Sequence, residues 1–344
     1  MKKFLLKLSY TVFPVFLVLF LLVAYVTLYI SPRTTGDLGN LAYIPFDCQG
    51  DGSHELDTLC FTEIERTEDL KTIQTDVLTV GDSFSQQGII GYQNHLSSRG
   101  IKVINCNRSL YDNPIQFAYN ILDQKFIDSV NCKVLIVQVG ERDFVQRIEE
   151  FSKEKVDMYK VTPSLSTHKS SSKNSWSLLR ARDFVMYRLH WSPVYVANLN
   201  KNFFESNEPD KLYFYCADIS NGLSVSESAK PVIRKVYDLL KSKADERGIS
   251  LLLMIPVDKY DLYQDYIIDN SFAHPKTVNE DLLSLFGNEP NVVLCKYLLV
   301  PLLEKGEKDV FLFDDSHWGD KASKTVAEVL SRRMKELMTN KSQQ

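Results

Sequence analysis

The sequence predicts an α/β protein, a doubly wound parallel sheet flanked by helices, carried by an N-terminal transmembrane helix. Three observations lead there. Residues 9–31 hold no charged side chain and read TVFPVFLVLFLLVAYVTLYI through most of their length, enough apolar helix for the roughly 30 Å hydrocarbon core of a bilayer. Short runs rich in Val, Ile and Leu recur at 76–80, 102–106, 133–139 and 250–256, the pattern of strands buried on both faces. Helix-capable stretches lie between them at 85–99, 114–129 and 226–248, and strands alternating with helices build a parallel sheet.

Along the chain, Lys2, Lys3 and Lys7 precede the apolar run with no acid nearby. The excess of positive charge on that side places residues 1–8 in the cytoplasm and everything after Pro32 on the far side, periplasmic or extracellular. The long apolar core and the bulky VAYVTLYISPR exit favour a retained single-pass anchor in the inner, cytoplasmic membrane over a cleaved signal peptide. Residues 32–71 form a membrane-proximal lead-in and 72–344 the α/β domain. Between about 149 and 208 the alternation stops. SLSTHKSSSKNS is polar and of low complexity, and SWSLLRARDFVMYRLHW is amphipathic and aromatic, which reads as an insertion, first loop and then helix. KLYFYCADI reads as a further strand, and Gly248 stops the 226–248 helix ahead of ISLLLMIP. A last helix over 321–338 ends the domain.

With 44% hydrophobic and 24% charged residues in 344, the chain has material for a full core, and extensive disorder is excluded. The net charge is −4, and the far-side part is more acidic still once the three leading lysines are set aside, which argues against a nucleic-acid partner. Six cysteines show no metal-ligand spacing. In an oxidising exterior Cys48 and Cys60 are spaced to close a short loop, while Cys106, Cys132, Cys216 and Cys295 sit in or beside apolar runs and read as buried thiols. His54, His95, His168, His190 and His274 have no metal-site spacing either, and neither a metal nor a cofactor is expected.

Ligands of such a sheet bind outside the carboxyl ends of the strands. Three groups lie there: Gly81-Asp82-Ser83 after the first run, Gly140-Glu141-Arg142-Asp143 after the third, and FLFDDSHW at 311–318. A serine hydroxyl attacks only when a base takes its proton, and the base works best when a carboxylate fixes its tautomer. Ser83 supplies the hydroxyl at a tight turn permitted by Gly81, where a helix N-terminus favours developing negative charge. His317 supplies the base, and Asp314 or Asp315 the carboxylate. Alone, Ser83 reads as a helix N-cap and DDSHW as an acidic surface turn; together they favour a catalytic site.

A GDS after the first strand and a D-x-x-H before the final helix resemble the SGNH (GDSL-like) hydrolase superfamily, from about residue 76 to the C-terminus. The resemblance implies Ser83 as nucleophile, His317 as base and, preferentially, Asp314 as the acid three residues before the histidine. Asp315-Ser316-His317-Trp318 also resembles the D-x-H-W signature of the alginate O-acetyltransferases, which gives that role to Asp315. VQVGERDFVQR, TTGDLGNLAYIPF and PVDKYDLYQDYI resemble the E-x-x-E-R-x-L-like segment, the lead-in and the P-x-x-K-x-x-x-Y segment of the AlgJ/AlgX/DltD-like polysaccharide O-acetyltransferases. By that likeness Arg142 is an oxyanion or substrate donor, and Lys259 and Tyr263 lie near the site. The plainer alternatives are an ion pair of Arg142 with Glu141 or Asp143, and surface packing of Lys259 and Tyr263 at a strand end. The superfamily's usual Gly after the second strand and Asn of a G-x-N-D block are replaced by CNRSLYD and GERD. Ser83 N–H and Asn107 remain as oxyanion donors. The serine precedes the acid and histidine, as in DltD and simple esterases and unlike AlgJ and AlgX.

Acetyl-CoA is absent outside the cytoplasmic membrane, so a transferase there needs an acyl donor. The resemblance implies a multi-spanning membrane-bound O-acyltransferase in that role and a polysaccharide or cell-wall polymer as acceptor. The function expected is therefore a membrane-anchored O-acetyltransferase. An esterase of the same site is the alternative, and an inactive anchored glycan-binding or complex-organising protein the third reading.

Overall fold

The first helix, α1 (Lys2–Tyr29), holds Pro14 inside it and is 28 residues long, about 42 Å at 1.5 Å per residue. Its segment Leu6–Tyr29 is long and apolar enough to cross a bilayer; a signal sequence meets the same description. The computed structural model describes residues 2–30, 36–48, 52–71, 73–124, 126–151, 178–221, 224–269, 272, 277–287 and 289–342. The polar stretch at 164–175, with His168, and also His274 and the first two residues of TTGDLGNLAYIPF, lie outside the described residues.

After α1 come α2 (Asp37–Leu41) and the edge strand β1 (Thr62–Ile64). The four apolar runs become β2 (Val77–Gly81), β3 (Val103–Cys106), β4 (Val134–Gln138) and, later, β7 (Ser250–Ile255). Between β2 and β3 the helix expected over 85–99 shortens to α3 (Tyr92–Ser97). Gly88, at φ +58°, and Gly91 break the pattern, and the chain ahead of them makes two single 3-10 turns, Ser83–Ser85 and Gly88–Ile90. α4 (Pro114–Asp123) opens where the Asn113 side chain accepts from Ile115 N and Pro114 occupies the first helical position. α5 (Glu141–Glu149) follows β4 directly.

The stretch expected as an insertion holds α6 (Leu178–Arg188) and β5 (Val194–Asn198), which pairs antiparallel with β6 (Lys211–Tyr215) just beyond it. KLYFYCADI is thus a strand, but it pairs antiparallel in a separate two-stranded sheet and continues into α7 (Cys216–Ser220). Then α8 (Ala229–Asp245) leads through Gly248, φ +70°, into β7. α9 (Lys259–Tyr263), α10 (Val278–Phe286), β8 (Val292–Leu294), α11 (Lys296–Glu304) and α12 (Asp320–Ser342) complete the chain.

The main sheet has six strands in the order β1-β3-β2-β4-β7-β8, every neighbour parallel. Alternate residues of each strand face opposite layers. Val77, Val103, Ile136, Leu252 and Met254 join the core under α11 and α12, whereas Leu78, Val80, Ile104, Leu135, Val137 and Leu253 join the one under α4 and α8. The chain leaves β2 towards β3 on one side and returns to β4 on the other, so the order reverses between the carboxyl ends of β2 and β4. That reversal point is where an open α/β sheet forms its crevice.

The cysteine expectation is corrected in part. Cys48 and Cys60 are free: Cys48 ends a short turn beside Asp47, while Cys60 is held elsewhere, its N–H donating to Asn94 Oδ1 at 2.6 Å. Cys106, Cys132 and Cys295 are buried thiols and Cys216 is half-buried. His95 is a satisfied core residue, with Nε2 at 2.9 Å from Asp320 Oδ1.

Candidate active site

The site begins where β2 ends. A Cβ on Gly81 would lie 2.0 Å from Ser85 Oγ and 2.4 Å from Gln138 Oε1, so only glycine fits. The Tyr111 hydroxyl pins this residue, accepting from Gly81 N at 2.8 Å and reaching Gly81 O at 2.8 Å. Asp82 then joins the two strand ends. Its Oδ1 accepts from Phe84 N at 3.0 Å and Gln138 Nε2 at 2.5 Å, and its Oδ2 accepts from Gly140 N at 2.5 Å.

The capping residue of the turn is therefore Asp82, which leaves Ser83 unoccupied by that task. Ser83 is half-buried and lines a cleft of about 600 Å³ together with Asn107, Arg108, Asp112, Asp143 and Arg147. Among the described residues neither the Ser83 N–H nor its hydroxyl is engaged in a hydrogen bond. Asn107 turns its Oδ1 inward to accept from Ser109 N at 2.9 Å, so the amide NH₂ is the end left for a ligand.

Beside the serine turn, in contact with it through Phe84, stands the loop 311–318. His317 Nδ1 lies 2.5 Å from Asp315 Oδ1, and His317 N donates to the same oxygen at 3.0 Å. The preference for Asp314 is thus corrected, since the carboxylate on the imidazole belongs to Asp315. Asp314 instead faces the lead-in, its carbonyl accepting from Gly39 N at 2.6 Å, and burial raises its carboxyl above the usual range against the pull of Lys259. For His317, burial works against the cation, but the hydrogen bond and charge of Asp315 outweigh it and raise the pKa. Asp315 moves the opposite way: burial would raise it, and the contacts with His317 bring it below the ordinary value.

His317 Nε2 is buried without a partner among the described residues. The ring meets Phe84, the neighbour of Ser83, edge to face at 4.9 Å between centroids. Phe84 also packs on Trp318 at 4.8 Å, and Gln87 Nε2 donates to Trp318 O at 2.8 Å. These contacts fix the serine turn against the histidine loop.

The lead-in contributes a residue that the sequence did not single out. Asp37 accepts from Ser316 N at 2.8 Å, from Ser316 Oγ at 2.6 Å and from Tyr215 OH at 3.2 Å, and its N–H donates to Asp315 Oδ2 at 3.2 Å. A Cβ on Gly36 would strike Asp314 O at 2.2 Å, a measure of how closely the two segments meet. Asp37, Asp315 and His317 are also the one set of three side chains among the described residues close enough to share a cation. Their facing atoms are already committed to the bonds above, and an ion there would have to displace the Asp315–His317 contact.

Arg142 sits apart from the cleft at Ser83. Its Nη1 is 2.5 Å from Asp218 Oδ1 and its guanidinium lies 5.1 Å over the Tyr215 ring. Burial alone would lower its pKa; the charges of Asp258, Asp218 and Asp143 outweigh that and raise it. The pairing with Asp218 is where the structure places the residue expected as an oxyanion or substrate donor. Arg142 is committed to an ion pair, with Asp218 rather than with Glu141, which is buried and accepts from Asp258 N and Asn279 N.

Lys259 and Tyr263 lie under the histidine loop and not at the surface. Lys259 is 1% exposed, and its ammonium donates to the carbonyls of Leu312 at 2.6 Å, Phe313 at 2.8 Å and Asp315 at 3.0 Å. Burial brings its pKa down to about 8, resisted by Asp314, Asp315 and Asp37. Tyr263 is fully buried, and its hydroxyl accepts from Phe311 N at 3.4 Å. Both support the loop without facing the cleft.

Compared with models of protein families, with curated proteins and with solved structures, the chain matches none of them.

Proposed function

We propose that this protein is an SGNH-type O-acetyltransferase, anchored by α1 and acting on hydroxyls of a polysaccharide or cell-wall polymer on the far side of the cytoplasmic membrane. The observation that carries the reading is the Asp315–His317 pair, its Nε2 open, held by Phe84 against the turn that presents an unengaged Ser83. The six-stranded parallel sheet, with GDS after β2 and the histidine loop ahead of α12, accords with that superfamily.

In this mechanism Ser83 Oγ attacks the acyl carbonyl and its proton passes to His317 Nε2, while Asp315 keeps Nδ1 protonated and stabilises the imidazolium. The oxyanion receives the Ser83 N–H and the Asn107 amide. Collapse of the intermediate expels the donor's leaving group, which takes the proton from Nε2 and leaves acetyl-Ser83. His317 then takes the proton of a sugar hydroxyl, which attacks the ester and regenerates the serine. A multi-spanning membrane-bound O-acyltransferase supplies the acetyl group, since acetyl-CoA is confined to the cytoplasm. The polar, open lining of the cleft, with Arg108 and Asp112 exposed, also admits water and favours an esterase as the second reading.

Intact-mass measurement of the full chain in detergent, incubated with an activated acetyl ester, tests this. A Ser83-dependent adduct that decays faster with an oligosaccharide and yields acetylated sugar is the expected result. An adduct lost equally fast to water moves the reading to the esterase, and the absence of both adduct and turnover overturns it in favour of a binding role.

A further inference from the structure

We infer that α6 is seated in the membrane: its outward apolar stripe lies in the interfacial layer of the far leaflet, beside the outer end of α1. The inference rests on α1 being a retained span. The structure supplies a reason for retention, because the last turns of α1 are built into the domain. Val23, Val26 and Ile30 are buried, Ile30 bridges to Pro45, and α6 packs against α1.

One face of α6 turns inward. Ala181 is buried, Phe184 meets Tyr25 at 5.9 Å and Tyr43 at 5.8 Å, and Tyr187 meets Tyr43 at 6.2 Å. The opposite face carries Leu178, Leu179, Val185 and Met186, and the apolar character continues past the helix end with Leu189 and Trp191. All six are exposed, Leu178 at 66% and Trp191 at 68%. In water such a stripe is a liability for aggregation; at a bilayer surface it is the anchoring face of an interfacial helix.

What covers it follows from its position. Tyr25, which Phe184 touches, is one turn inside the end of α1 and stacks on Tyr29 at 5.7 Å. Tyrosines at a span's end mark the headgroup level, so α6 is held at that depth by its own contacts. Tyr25, Leu28 and Tyr29, at the end of α1 against which α6 packs, are exposed as well, so exposed apolar side chains stand on both helices at that level. Arg182 sits within the stripe, paired with Asp183 at 2.6 Å, and Arg188 lies over Phe184; long side chains of this kind keep their charge among headgroups while the stem stays in apolar surroundings.

The test uses the full chain in vesicles of phosphatidylcholine and phosphatidylglycerol whose acyl chains are brominated near the headgroup or near the chain end. Bromine near the headgroup should quench a tryptophan component that is missing in Trp191→Phe, and deep bromine should quench it less. Leu178→Asp with Leu179→Asp should abolish that quenching while Ser83 acetylation by an activated ester stays unchanged. The same absolute loss of emission on bromination in wild type and Trp191→Phe in all vesicles, with α1 present by N-terminal sequencing, would overturn the seating and leave the stripe to a protein partner. Loss of α1 from the membrane-bound protein would overturn retention as well. Neither result touches the acetylation assay, so the catalytic reading stands or falls separately.

Discussion

His317 has one nitrogen held by Asp315 and the other buried without a partner among the described residues, and the chemistry proposed for it follows from that asymmetry. Because its pKa is raised, ester turnover should climb with pH through a midpoint above the ordinary histidine value of about 6.5. Asp315→Asn should cut turnover by about 10³–10⁴, whereas Asp314→Asn should stay within about tenfold of wild type; initial rates across pH for the three proteins check both statements. For stability the signs are opposite in the two partners. The raised pKa of His317 contributes stability that is present below its unfolded pKa and is lost as pH rises through the folded one. The depressed pKa of Asp315 contributes stability present above its unfolded value and lost as pH falls through the folded one. The pair therefore contributes most between those two limits. Sequence spacing brought Ser83 and the histidine into view but could not choose between adjacent acids. The choice is made by the backbone: Asp315 folds back on the N–H of His317 two residues later, while Asp314 is turned to α2.

At the level of elements, the loop 311–318 is shaped from beneath by one ammonium. Lys259→Met leaves three carbonyls without their donor and should destabilise the protein by about 2–4 kcal/mol, measured by denaturant unfolding. The folded pKa of about 8 lies below the unfolded value of about 10.4. Between these the unfolded chain holds the proton that the native state has released, so wild-type stability relative to Lys259→Met should rise with pH across that window. The central strands were legible because burial on both faces writes itself as continuous Val, Ile and Leu. The edge strands β1 and β8 were not, for three residues carry no period. The helix expected after Ser83 failed on Gly88 and Gly91, and the short turn that carries Phe84 against His317 is capped instead by Asp82. Lys259 sits in a polar stretch, PVDKYD, where nothing local announces burial.

Across the whole molecule, the segment following α1 is part of the architecture of the candidate site. Asp37 reaches the histidine loop from 279 positions away from Ser316, a contact that no local pattern could reveal. A chain beginning at residue 45 should keep the parallel sheet by circular dichroism yet lose Ser83-dependent ester turnover. Asp37→Asn in the full chain should lower turnover by about tenfold, the equivalent of one weakened charged hydrogen bond. The same arrangement sets a working radius. α1 ends at Tyr29 and α2 starts at Asp37, a stretch of chain that spans no more than about 29 Å fully extended. Were α1 the proposed span, Asp37 and the histidine loop bonded to it would be held near the lipid surface, Asp37 itself within that distance. Under the proposed transferase function, such a site would serve a polymer as it emerges from the membrane and not one already laid down further out.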